Sequence, residues 1–337
     1  MATRDDVARL AGVSSSTVSY AISGRRKISD ATRERVEQAM RDLDYTPNAF
    51  ARGLAGSRGG IIALHYPSST RGYSATEFEY VSQTSARARL RGYHVLLWTG
   101  AADDVDGLRG LVSQGLVDGV ILMEVGLNDP RIEVLEASST PFTMIGRPQD
   151  PAARTFVDND YDAMARLAID HVAGLGHHQV LFLGQTTRPL DRGEGPMART
   201  RRALEAPARE RGVRLDLVEV DNTAASGHAA FEAYLALTPR PSAVIAFNEA
   251  ALAGMAHACA LAGVRIPDDL SVVALSLGDD AAELMSPPMT TVSPPVGIIA
   301  EYAVDGLVGL IDQRPGPAMH ALVAPLLTVR ASSSTAP

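Results

Sequence analysis

Along the first 45 residues, apolar positions recur at helical spacing in three short stretches. Thr3 is read as the cap of a first helix, with Asp6 three residues on as the capping-box acid. Val7, Leu10 and Ala11 share one face, and Gly12 ends the helix. Ser14 then caps a second helix through Thr17, Val18, Ala21 and Ile22, which Gly24 stops. Ser29 caps a third, Asp30–Leu43, with Val36, Ala39, Met40 and Leu43 on one face. Val7, Leu10, Val13, Val18, Ile22, Ile28, Val36 and Met40 are the expected core. The turn between the first two helices is about three residues, which is helix-turn-helix spacing.

Gly53, Gly56, Ser57, Gly59 and Gly60 mark a boundary, and the pattern then changes. Short apolar runs such as Ile61–Leu64, Gly119–Met123, Val180–Leu183 and Ser271–Leu275 alternate with helical stretches as far as Val329. Such alternation predicts parallel strands covered on both faces. The fold class is therefore an all-α helix-turn-helix headpiece plus an α/β core. A core of about 270 residues predicts two doubly wound parallel-sheet lobes. The expected units are a headpiece at 1–45, a hinge and linker at 46–60, a two-lobed core at 61–330 and a disordered tail at 331–337.

Composition adds limits. Aromatics are only 5% of 337 residues, so the cores must be built from Ala, Val, Leu and Ile. No apolar run has membrane-spanning length, and the N-terminus lacks a signal-peptide pattern. The single cysteine, Cys259, excludes an intrachain disulfide framework. A cytoplasmic protein with no membrane partner is expected. The net charge of −8 is unevenly spread. Residues 1–60 carry ten basic and seven acidic residues, and the remainder 21 and 32. A basic head on an acidic body suits a protein with one end on phosphate. On the second helix, Ser15, Ser16, Thr17, Ser19 and Tyr20 offer short polar groups to a major groove. A capped, serine-rich helix in a small bundle is the plainer alternative on pattern alone.

The stretch DDVARLAGVSSSTVSYAISGRRKISDATRERVEQAMRDLDYTPNAFARGLAG resembles the headpiece and hinge of the lac repressor / gal repressor family. The likeness runs without a gap from Asp6-Val7-Ala8 to Tyr45-Thr46-Pro47-Asn48. It implies that Ser15 and Ser16 read bases, and that Thr3, Ser14, Thr17, Ser19 and Ser29 touch backbone or bases. Tyr20 stands where many members carry arginine. Asn48 and Ala51 begin a segment like the family's hinge helix. Leu54 matches the leucine that wedges into the minor groove of the operator. Gly53 disfavours helix there by about 1 kcal/mol, so a hinge that folds on DNA is expected.

The core also resembles the family, in RGYHVLL, GLVDGVILM, TPFTMIGR, VDNDYDAMARLAIDHVAGLGHHQVLFLG, GVRIPDDLSVVAL, SPPMTTV and LLTVR. This implies a periplasmic-binding-protein-like fold, with an effector between lobes at the strand ends. Crossings are expected near Phe156–Asn159, Pro287–Val292 and Ala321–Pro325. By position Arg147, Arg201, Asn248 and Ser276 are the effector candidates, with Arg199 competing with Arg201. Ser276 replaces the aspartate of sugar-responsive members, with Asp279 and Asp280 following. A sugar is the family's commonest effector class, and the departure at Ser276 leaves an altered effector or none as alternatives. Surface pairing is the plain alternative for both arginines, and helix capping for Asn248.

No enzyme, metal or cofactor motif is present. His177-His178 reads as structural and Cys259 as a buried filler. The expectation is a transcription regulator, repressing as a homodimer on a palindromic double-stranded operator. With no heptad repeat in the tail, no tail-zippered tetramer is expected. A solute-binding protein of the same core fold is the alternative, and an enzyme on a doubly wound fold the weakest.

Overall fold

The computed structural model describes residues 2–23, 26, 28–45, 58–67, 74–186 and 195–337. Three helices form the headpiece: α1 (Arg4–Ala11), α2 (Ser15–Ser23) and α3 (Asp30–Asp42). Each start is set by a hydroxyl. Thr3 and Asp6 form a reciprocal capping box on α1. Ser14 accepts from Thr17 N at 3.1 Å, and Ser29 from Thr32 N at 3.3 Å. Gly12 ends α1 at φ 66, a left-handed conformation open to glycine. Val7, Ala8, Ala11, Val18, Val36 and Ala39 make the core, with Val13, Ile22 and Met40 against it. Leu10 departs from expectation and is 54% exposed. The buried stripe of α1 runs through positions 7, 8 and 11, and Leu10 falls to its side.

The first lobe holds a six-stranded parallel sheet in the order β11-β5-β4-β3-β1-β2. Its strands are β1 (Ile61–His65), β2 (His94–Trp98), β3 (Gly119–Leu122), β4 (Phe142–Ile145), β5 (Phe156–Asn159) and β11 (His320–Val323). On one face lie α4 (Ala75–Leu90) and α12 (Val296–Ile311). On the other lie α5 (Val105–Ser113) and α6 (Pro130–Ser138).

The second lobe repeats the plan, in the order β12-β10-β9-β8-β6-β7. Its strands are β6 (Gln179–Gln185), β7 (Arg214–Val220), β8 (Ala243–Ala246), β9 (Ser271–Leu275), β10 (Thr290–Ser293) and β12 (Leu326–Thr328). All pairs are parallel except β10 with β12. The helices α7 (Tyr161–Gly174) and α8 (Gly195–Glu210) cover one face. The helices α9 (Ala224–Ala236) and α10 (Glu249–Leu261) cover the other, and α11 (Asp279–Leu284) follows β9. The chain crosses between lobes after Asn159, after Ser293 and after Val323. The second crossing comes slightly later than expected, because Thr290–Ser293 is itself a strand of the second sheet.

The tail overturns the expectation of disorder at 331–337. Ser332 is fully buried, and its carbonyl accepts from Val272 N at 2.6 Å. His177 Nε2 donates to Ser334 O at 3.0 Å, and Ala336 N donates to Leu175 O at 2.8 Å. A serine-rich run reads as solvated, yet short hydroxyls suit the unpaired backbone at the start of a sheet. Here they strap β9, β10 and the end of α7 together.

Candidate functional site

Two surfaces carry chemistry. On the headpiece, Val18 turns inward while Ser16 is exposed and Ser15, Thr17, Ser19 and Tyr20 are half-exposed. The hydroxyls are held in place by α1. Ser15 Oγ donates to Asp5, and Arg4 donates to Ser19 Oγ at 3.3 Å. Arg26 lies over the Tyr20 ring, 5.8 Å from its centroid. Tyr20 therefore brings a cation with it, and cation–π contact orients that charge. Asn48, Ala51 and Leu54 lie outside the described residues, as does Gly24.

Between the lobes lies a cavity of about 900 Å³. It is walled by the carboxyl ends of the strands: Tyr66 after β1, Met123 after β3, Asn159 closing β5, Gln185 closing β6, Asn248 after β8 and Ser276 after β9. Parallel strands present their ligand sites at this edge. Ser276 is held at φ 51, uncommon for a residue with a side chain, and Glu124 at φ 50.

The four effector candidates fare differently. Asn248 and Ser276 line the cavity. Asn248 caps α10 through Ala251 N at 3.1 Å, and donates to Gly184 O at 3.2 Å and Val220 O at 3.1 Å. It thus ties the ends of β6 and β7 to α10 while facing the cavity. Arg147 stands behind the wall and pairs with Asp158 at 2.9 Å. Arg201 is not brought to the cavity: its side chain is 47% exposed and pairs with Glu219 at 3.4 Å. The competing Arg199 turns inward instead, donating to Arg147 O at 2.7 Å and Pro148 O at 3.0 Å. Met197, Thr200, Ala203, Leu204 and Pro207 set the buried stripe of α8, which places the two arginines on different sides. Asp279 does not reach back toward Ser276; it pairs with Arg330.

Asp158 escaped the sequence reading. It is 3% exposed and lines the cavity. Burial pushes its carboxyl up to about 6, against the pull of Arg147 and Arg199. Two buried atoms beside it, Asn159 Oδ1 and Arg199 Nη1, have no hydrogen-bond partner among the described residues. The only signal in the sequence is the acid-rich VDND, which puts a carboxylate inside the short apolar-flanked run that becomes β5.

A second buried node also went unseen. Arg131 is fully buried and grips Asp129 through Nε at 2.9 Å and Nη2 at 2.6 Å. Nη2 also donates to Met123 O at 2.9 Å and Glu124 O at 3.0 Å. Nη1 donates to His65 Nδ1 at 3.2 Å. Arginine only donates, so His65 Nδ1 accepts and its Nε2–H donates to Gly100 O at 2.9 Å. Burial, then Arg131, push His65 down to about 4. Among the described residues no group of three His, Cys, Asp or Glu side chains could hold a metal ion. No described helix is long and apolar enough to cross a membrane.

A helix-turn-helix headpiece followed by two parallel-sheet lobes around a strand-end cleft is the plan of a DNA-binding transcription regulator. Residues 3–48 match the bacterial regulatory proteins of the lacI family, and residues 169–333 match the periplasmic binding protein-like domain. The ribose operon repressor of Escherichia coli (strain K12) is 31% identical, over 99% of this chain and 100% of that protein. The transcriptional regulator CelR in complex with cellobiose superposes with a TM-score of 0.73 at 26% identity, over 98% of this chain and 100% of that one. The lac repressor dimer bound to operator and the anti-inducer ONPF gives 0.79 at 25% identity, over 99% of each chain. This chain belongs to the lacI family of bacterial regulatory proteins and is a DNA-binding transcription regulator.

Proposed function

We propose that the protein is a cytoplasmic repressor, not an enzyme, and binds a palindromic operator as a homodimer whose grip is set by a small polyhydroxylated effector, a sugar, in the cleft. The working units are the headpiece at 1–45, the hinge at 46–60 and the core at 61–330. The observation that carries the effector reading is the cavity of about 900 Å³ at the strand ends of both lobes. Its size suits a small ligand. The relatives named for ribose and cellobiose point the same way.

In this reading Ser15 and Ser16 read base edges. Thr3, Ser14, Thr17, Ser19, Tyr20 and Ser29 meet the backbone or bases, and Arg26 supplies a phosphate contact where Tyr20 replaces arginine. Asn48, Ala51 and Leu54 form the hinge that enters the minor groove. Asn248 and Ser276 meet the effector directly, Arg147 acts through Asp158, and Arg199 takes the part first assigned to Arg201. Exposed Phe78, Leu90, Leu284 and Tyr302 offer the lobe faces an apolar surface for a second copy. The solute-binding alternative gives the headpiece no task.

The test is fluorescence anisotropy on the DNA upstream of the gene, across a salt series, with Leu54→Ala beside the wild type. The expected result is tight binding that weakens steeply with salt and at least tenfold in the variant. Binding that ignores both salt and Leu54 would sink the reading.

A further inference from the structure

Behind the second-lobe wall, α9 and α10 pack backbone against backbone. A Cβ on Gly227 would stand 2.1 Å from Ala251 O, and one on Gly254 2.0 Å from Ala224 O. Only glycine fits at either place, so the two helices are locked in register. His228 and His257 project beside this contact. Their ring centroids are 5.5 Å apart, tilted by 59°. Both side chains are exposed, and neither has a hydrogen bond or ion pair to a described residue.

We propose that His228 and His257 form a two-ligand site for a borderline divalent transition-metal ion, with Zn²⁺ as the probe and water completing the shell. Imidazole nitrogen binds such ions at about 2.0–2.1 Å. The ring centroid lies about 1.1 Å further out, so two rings on one tetrahedral ion have centroids about 5 Å apart. The observed spacing reaches this by small side-chain rotations, with no movement of the helices. Imidazole selects Zn²⁺, Ni²⁺ and Cu²⁺, while Mg²⁺ and Ca²⁺ prefer oxygen. Two protein ligands, against the four of a closed structural zinc site, give a weaker and reversible hold. The location gives the ion a consequence. Asn222, just before α9, accepts from Ala250 N at 3.1 Å, and Asn222, Asn248 and Glu249 all face the cleft. An ion bridging the two helices braces that wall.

Calorimetric titration of chelator-treated, full-length protein with Zn²⁺ alone tests this, with His228→Ala, His257→Ala, the double variant and the exposed-site control His94→Ala. One Zn²⁺ per chain is expected. Each single variant should weaken it at least tenfold, the double no further, since one remaining imidazole has nothing to chelate with. His94→Ala should match the wild type, and Mg²⁺ should give no heat. Zn²⁺ binding that survives loss of both histidines, or no binding to the wild type, overturns the site. Both positions are on the surface, so unchanged melting curves establish that the variants fold. Operator binding by the same variants is independent of the outcome, which separates it from the regulator reading.

Discussion

Two buried arginine–aspartate nodes flank the cleft, and they are finished to different degrees. In the first, Arg131 has partners on all three guanidinium nitrogens: Asp129, two carbonyls and His65. In the second, around Asp158, Arg199 Nη1 and Asn159 Oδ1 are buried without partners among the described residues. A buried polar atom left unpaired costs about 1–3 kcal/mol, so folded proteins keep few of them. The first node is a frame that fixes the turn between β3 and α6. The second has, among the described residues, unmet donor and acceptor capacity close to the cavity.

The largest effect should follow from breaking the frame. Arg131→Met leaves Asp129 as a buried, unpaired carboxylate and should cost about 3–5 kcal/mol in urea unfolding. Arg199→Met removes two carbonyl contacts but also an unsatisfied nitrogen, and should cost about 1–2 kcal/mol. Equal losses would mean that the two nodes do the same work.

The contrast bears on what a sequence can disclose. Thr3, Ser14 and Ser29 were legible because a cap acts over three residues of one chain. The βα alternation was legible for a similar reason, since apolar runs report burial locally. Thr290–Ser293 and His320–Val323 carry no such signal, because each opens on a polar residue and is made a strand by its neighbours. Arg199 and Arg201 are two residues apart, and helix phase alone decides which turns inward. The Arg131 node joins residues 65, 100, 124, 129 and 131, and no local pattern announces it. The straps of the tail depend equally on partners distant in sequence.

Acid separates the nodes by sign. His65 is held at about 4 in the folded chain, below its ordinary 6.5. Its contribution is present above pH 6.5 and is lost as the pH falls toward 4, because the unfolded chain takes up the proton first. Asp158 is raised to about 6 from 3.8. Its contribution is fully present below pH 3.8 and is lost as the pH rises through 6. Each amounts to about 3 kcal/mol at full extent, and in the wild type the two oppose each other. Relative to wild type, His65→Gln should therefore lose less stability from pH 6.5 to 4. Asp158→Asn should lose more than wild type over the same range. Denaturation midpoints at a series of pH values decide the matter, and parallel profiles for the two variants would remove the distinction.

The smallest effect tests whether the cavity side carries strain for the sake of function. Ser276 holds φ 51, and among the described residues its hydroxyl donates only to Met164 Sδ, at 3.7 Å. A left-handed conformation costs a side-chain-bearing residue roughly 1–2 kcal/mol. Glycine relieves that cost but adds roughly 0.5–1 kcal/mol of unfolded-chain entropy. Ser276→Gly should therefore raise stability by about 0.5 kcal/mol, a shift of roughly 0.7 °C in melting temperature for a chain of this length. The same change removes a hydroxyl from the cavity wall, so any ligand found to protect the wild type should protect the variant less. A gain in stability with a loss of ligand protection marks Ser276 as a residue kept for binding. A loss of stability beyond about 1 kcal/mol would make its side chain part of the frame, and the strain at the strand end would then need a structural cause.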